Sequence, residues 1–207
     1  MVNESSATLN QLLVLGLAWA LWAGVHSLLL QRRVRGRLEA VLGLRMAVYR
    51  LLYSLFSLVT VLPVVMYIWW LGGIWPFFWP GPWLYLQALL LALGLGLLEW
   101  AEHSFRQGGQ DLFGWQEAAG GHDKTPALVA SGAYAHLRHP MHVAGLILIW
   151  SRSLGPADLV TNLVLSAYLI LGTWHEERRL RRFFGPAYHE YARRVGLLPG
   201  GLGRDSA

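Results

Sequence analysis

The chain has 207 residues, of which 55% are hydrophobic, with 11 tryptophans, no cysteine and a formal net charge of +5. That is too apolar for an ordinary soluble domain, and the apolar residues come in blocks long enough to cross a bilayer. Without cysteine there is no disulfide framework, thiolate nucleophile or cysteine metal site, and the positive charge reads as arginine-rich cytoplasmic loops rather than nucleic-acid binding.

The first apolar block predicts a span from about Leu12 to Leu30. It is too long for a signal-peptide core, and Met1–Asn10 carries Glu4 but no Lys or Arg. Arginines from Arg32 to Arg37 stop this span and argue for a cytoplasmic end, which puts the N-terminus outside. A second span runs from about Val48 to Leu71 with Pro63 inside it. Trp69 to Trp83 is rich in tryptophan, proline and glycine, the composition of an outer-interface turn. The third span, about Trp83 to Trp100, returns the chain to the cytoplasm. A polar segment follows to Arg138, and the chain is apolar again from Pro140 to Trp174, broken at Ser151–Pro156. Two short helices forming a hairpin fit that block, with both ends cytoplasmic.

The expected fold is therefore an all-α integral membrane protein with about five transmembrane helices, the last two a short hairpin. It reads as one membrane domain: three helices over 1–110, a core over 111–199 and a disordered tail over 200–207. The expected location is the inner membrane of a prokaryote, with the C-terminus cytoplasmic.

Chemistry concentrates in two stretches. Ser131 to Gly145 packs His136, Arg138, His139 and His142 against the start of an apolar run, with Pro140 suited to a first helical turn. A helix entrance carries free N–H groups and partial positive charge, so acceptor groups are held well there. The second stretch begins Trp174-His175-Glu176-Glu177 and continues through arginines to Tyr188 and Tyr191. A hairpin would bring His139 and Glu176 to one mouth, a cationic entrance facing carboxylates that suits a zwitterion or a ribose diol. Interfacial anchoring and a solvated helix end are the plainer readings of the same residues.

The ordered pattern Leu128-Val129, Gly132, Tyr134, Arg138-His139-Pro140, Gly145, Glu176-Glu177, Phe184-Gly185, Tyr188, Tyr191 and Pro199 resembles the isoprenylcysteine carboxyl methyltransferase superfamily. These are integral-membrane enzymes that use S-adenosylmethionine, and they include phospholipid methyltransferases. His26-Ser27, Tyr49 to Tyr53 and Asp111 to Gln116 are similar to the methanethiol S-methyltransferase and NnrU-like branch.

The resemblance implies a cytoplasmic S-adenosylmethionine pocket. Gln116 would be a polar contact, Leu128 and Val129 would flank the adenine, and Glu176 would be the cofactor-binding glutamate. Tyr134, Arg138, His139, Pro140 and His142 fall on the segment that wraps the methionine and sulfonium end. Three departures matter. His142 stands where the superfamily usually has tyrosine, Pro126 or its neighbour stands where a histidine is often found three residues before Val129, and Gly172 stands where prenylcysteine enzymes carry an arginine. The last argues against a prenylcysteine carboxylate as substrate.

Methyl transfer from a sulfonium relies on alignment and water exclusion, because the leaving group becomes neutral. A thiol acceptor must still lose a proton, and His142 or His26 are the candidate bases. A structural role is the plainer reading of His26. The spacing of His136, His139 and His142 also raises a metal site, but Pro140 breaks the helical register, so no metal is expected. The expected partners are a small hydrophobic or amphipathic methyl acceptor and membrane lipid, without nucleic acid. Alternatives are a phospholipid or isoprenylcysteine methyltransferase, an NADPH-dependent sterol-reductase-like enzyme, and a non-enzymatic NnrU-like accessory protein.

Overall fold

The computed structural model describes residues 7–43, 46–72, 79–108, 127–152 and 154–197. Among these the regular structure is helical throughout: α1 (Leu9–Leu30), α2 (Arg32–Leu42), α3 (Met46–Trp70), α4 (Trp83–Gln107), a 3-10 turn (Gly132–Ala135), α5 (Pro140–Trp150), α6 (Pro156–Phe184) and α7 (Pro186–Arg194). Gln116 and the tail 200–207 lie outside the described residues.

Local sequence explains most boundaries. Thr8 caps α1 in a capping box, its side chain accepting from the Gln11 backbone while Gln11 Oε1 accepts from the Thr8 N–H at 2.7 Å. Arg32–Leu42 is a separate helix rather than only the stop of the first span, and Gly43 ends it at φ 64°. Pro140 and Pro156 both open helices, where a missing N–H costs nothing.

Among the described residues, four helices are long and apolar enough to cross a membrane: Leu9–Leu30, Val48–Trp70, Trp83–Gln107 and Pro156–Phe184. This corrects the expectation of about five spans ending in two short ones. α5 has 11 residues, about 16 Å of rise, which is well short of a hydrocarbon core of about 30 Å. α6 has 29 residues, because no proline or capping glycine interrupts it before Gly185-Pro186. Its Glu, Arg and Leu residues past Trp174 are good helix formers, so the helix continues straight through the polarity boundary.

The chain divides into two compact units, and α6 runs through both. The first unit holds α1 to α3 and α6 as far as Leu165. Its core is Leu15, Trp19, Val64, Ile68 and Ala157. Trp19 Nε1 donates to Thr161 Oγ1 at 3.0 Å, so the buried indole N–H is satisfied.

The second unit holds α4, α5, α7 and α6 from Ser166. α4 and α5 pack so closely at Gly94 that a Cβ there would lie 2.7 Å from the Leu148 side chain. Buried Gln87 donates to the Ser151 carbonyl at 3.0 Å, tying α4 to the end of α5. Ser104 Oγ accepts the Ala133 N–H at 3.0 Å and so fixes the 3-10 turn on α4. Gly132 is required in that turn: its φ is 58°, and a Cβ would sit 2.2 Å from Ser104 Oγ. Trp150 Nε1 at the end of α5 donates to Ser166 Oγ on α6 at 2.9 Å.

Candidate active site

The second unit brings Arg138, His139 and His142 against α6, where Glu176 and Glu177 project from its polar half. His139 precedes Pro140 and is held out of helical geometry at φ −129°, ψ 61°. The break turns its ring toward the carboxylates instead of along α5.

Glu177 is fully engaged. It accepts from Arg138 Nη1 at 2.8 Å, His139 Nε2 at 2.8 Å and the Tyr188 hydroxyl at 2.7 Å. All four residues are buried. Tyr188 arrives from α7, which Gly185 turns back on α6 with φ 55°. Burial and the Glu177 carboxylate both hold the Tyr188 phenol protonated by raising its pKa. Tyr191, one turn further, donates to the Tyr134 carbonyl at 2.7 Å, and burial raises its pKa to about 12.

Glu176 is held loosely. Among the described residues, the nitrogens nearest to it are His139 Nδ1 at 3.5 Å, His142 Nε2 at 3.9 Å and Arg179 Nη2 at 3.9 Å. Its side chain is 36% exposed, against 10% for Glu177. Burial alone would lower the His139 pKa, but hydrogen bonds to Glu176 and Glu177 and their charges outweigh it and lift the value to about 9. His139 is therefore an imidazolium at neutral pH, clasped between two carboxylates.

The His142 ring lies parallel to that of His139, with centroids 5.3 Å apart and planes 5° from each other. Its Nδ1 meets Thr173 Oγ1 at 2.8 Å. Both histidines border a cavity of about 640 Å³ whose walls include Val143, Leu146, Ile170 and Trp174. Arg178 stacks over the Trp174 ring at 3.5 Å from its centroid, and both line the cavity with Arg181 and Leu197. The volume and largely apolar walls are those of a small-molecule site.

Ligand atoms of His139, His142 and Glu176 lie within 4.8 Å of one another, close enough to hold a cation. His136 is elsewhere, its ring 5.6 Å from that of Trp100.

The other sequence-predicted residues take varied places. Leu128 packs against the Tyr188–Tyr191 cluster on α7, and Val129 lies beside Gly108 at the end of α4. Tyr134 sits on the 3-10 turn, with its ring 6.1 Å from that of Phe105. Pro140 is buried at the first position of α5. His26 belongs to the first unit, where Tyr53 meets its Nε2, Ser57 Oγ lies 2.9 Å from its Nδ1, and Trp22 stacks on it at 4.8 Å. Sequence reasoning assigned no role to Thr173 or to the Glu177–Tyr188 contact. Thr173 lies three residues before Glu176 on a helix, and that spacing alone puts them on one face.

No protein-family model matches the chain, and no solved structure matches it. Curated proteins do. The chain is similar to methanethiol S-methyltransferases. It is 34% identical over 83 residues to the methanethiol S-methyltransferase of Pseudomonas deceptionensis, covering 40% of this chain and 30% of that protein. It is 32% identical over 98 residues to methanethiol S-methyltransferase 2 of Bradyrhizobium diazoefficiens, covering 42% and 36%. A Pseudomonas sp. methanethiol S-methyltransferase is 28% identical over 90 residues, covering 43% and 34%. The matched region thus spans about a third of each methanethiol S-methyltransferase.

Proposed function

We propose that this chain is an S-adenosylmethionine-dependent membrane methyltransferase acting on a small hydrophobic thiol. The observation that carries the reading is the contrast within one dipeptide. Glu177 is closed by three hydrogen bonds of 2.8 Å or less, whereas among the described residues no cation approaches Glu176 closer than 3.5 Å. Glu176 therefore keeps acceptor capacity beside the cavity-lining histidines. The similarity to methanethiol S-methyltransferases supports the reaction class.

The residues present fit the methyl donor. A zwitterion needs an anionic and a cationic partner, and Glu176 with Arg178 supplies them. The aromatic face of Trp174 and the apolar Leu197 suit a purine. Bound S-adenosylmethionine would supply an electrophilic methyl group on a cationic sulfur. The protein's own contribution is placement: Pro140 and the Arg138–Glu177–Tyr188 contacts fix the His139 ring, and Val143, Leu146 and Ile170 exclude water. An apolar acceptor is favoured over a polar one by those walls. Gly172 leaves no cation for a carboxylate substrate at that position.

The test is incubation of detergent-purified protein with methyl-labelled S-adenosylmethionine and separate panels of small thiols, phosphatidylethanolamine and prenylcysteines. Label on the thiols is the expected result. Label confined to a lipid amine or a prenylcysteine would overturn the thiol assignment, and label on none would overturn the methyltransferase reading.

A further inference from the structure

His142 and Thr173 are joined by a contact whose proton direction can be worked out. Thr173 Oγ1 lies 2.8 Å from the Leu169 carbonyl oxygen and 2.8 Å from His142 Nδ1. A carbonyl cannot donate, so the single hydroxyl proton lies on the Leu169 side, the usual back-bond of a helical threonine. The ring must then be the donor in the other contact. His142 carries its proton on Nδ1, and Nε2 is left as the free position.

That nitrogen is well placed to receive a proton. It lies 3.9 Å from Glu176 Oε2, and the ring lines the cavity. The charged groups nearest to it are His139, stacked on the ring, and Glu176 from α6, with Arg178 and Arg181 further along the cavity wall. The His139 imidazolium opposes a second positive charge before reaction, and the Glu176 carboxylate favours it once a proton has arrived.

We propose that Thr173 is a positioning residue that holds His142 in its Nδ1–H form, so that Nε2 takes the acceptor's proton as a thiol is methylated. The inference rests on the methyl-transfer reading above. In the step, the acceptor S–H bond breaks and its proton passes to His142 Nε2. The sulfur lone pair forms the new bond to the methyl carbon of the sulfonium donor. The old carbon–sulfur bond breaks with its electron pair going to the donor sulfur, which becomes a neutral thioether. The proton on His142 is then released to water. Orientation of a base by a third group is the logic of hydrolytic triads, here with threonine in place of a carboxylate. It also gives a use to the histidine that replaces the superfamily's usual tyrosine.

The experiment is long-range 1H–15N correlation NMR on 15N-histidine-labelled protein in detergent, with His142→Gln identifying the His142 signals. Wild-type His142 should show a protonated Nδ1 and an unprotonated Nε2 near neutral pH. Thr173→Val should move it toward the Nε2–H form, and Thr173→Ser should restore the wild-type pattern. In the methylation assay Thr173→Val should lower kcat at least tenfold with the donor KM unchanged, and the serine variant should recover most of that loss. A wild-type spectrum showing Nε2–H, or an unchanged tautomer in Thr173→Val, would overturn the proposal. If the valine variant fails to fold, the wild-type and serine spectra still decide it. Wild-type protein with the expected tautomer but no activity on any thiol would overturn the methyl-transfer reading instead, and the proton-accepting role with it.

Discussion

Glu176 and Glu177 are neighbours on one helix, yet Glu177 is closed in by hydrogen bonds at the cavity wall while Glu176, beside it, is partly open. On the Glu177 side three hydrogen bonds of 2.7–2.8 Å join buried groups from three separate stretches of chain, and Arg181 adds a longer contact at 3.5 Å. On the Glu176 side the gaps are 3.5–3.9 Å and the carboxylate is partly open. Successive residues on a helix point about 100° apart, so one can lock α7 and the Arg138 turn while the other meets the second histidine. Two adjacent acidic residues are thus not a repeated feature but two different ones.

The sharpest way to break the comparison is to remove each carboxylate in turn. Glu177→Ala leaves the Arg138 guanidinium buried without its partner, which costs about 3–5 kcal/mol. A large fall in the detergent melting temperature should follow, whereas Glu176→Ala should change stability by less than about 1 kcal/mol. Equal losses in both variants would erase the distinction.

A second test uses pH. The His139 pKa is raised to about 9 in the folded protein, above the ordinary value near 6.5. A raised folded value stabilises fully below about pH 6.5, and the stabilisation is lost as pH rises through 9. Thermal melts between pH 6.5 and 9.5 should therefore show a progressive loss of at most about 3 kcal/mol. The loss should vanish in His139→Gln. A melting temperature flat across that window would show that the clasp is not charged.

Smaller again is Tyr188→Phe, which deletes one hydroxyl bonded to a carboxylate and should cost about 1.5–3 kcal/mol. It leaves the ring packing intact, so the loss should appear in stability with no change in donor affinity. A comparable loss of affinity would place Tyr188 in the donor site.

Much of this arrangement is legible in the sequence. The end of the first span at Leu30, the start of the third at Trp83, the Pro140 start and the meeting of His139 with Glu176 follow from apolar runs, proline geometry and the break at Ser151–Pro156. The helix of the third span, α4, runs on to Gln107, past the expected Trp100. Nor does the length of α6 follow, because hydropathy reports where lipid ends and not where a helix ends. Arginine and glutamate continue a helix as readily as leucine, so the charged stretch past Trp174 carries no stop signal before Gly185. The division of labour between Glu176 and Glu177 was equally hidden. It depends on α7 folding back to deliver Tyr188, a tertiary contact that no local pattern encodes. Gln116 falls on 109–126, outside the described residues.

The central claim is that Glu176 is the available carboxylate of a methyl-donor site, and isothermal titration of detergent-solubilised protein with S-adenosylmethionine tests it most directly. Wild-type protein should bind, and Glu176→Ala should bind about ten- to a hundredfold more weakly with an unchanged melting temperature, the value of one charge-assisted hydrogen bond. No binding by the wild type, or equal binding by a well-folded Glu176→Ala, would contradict it.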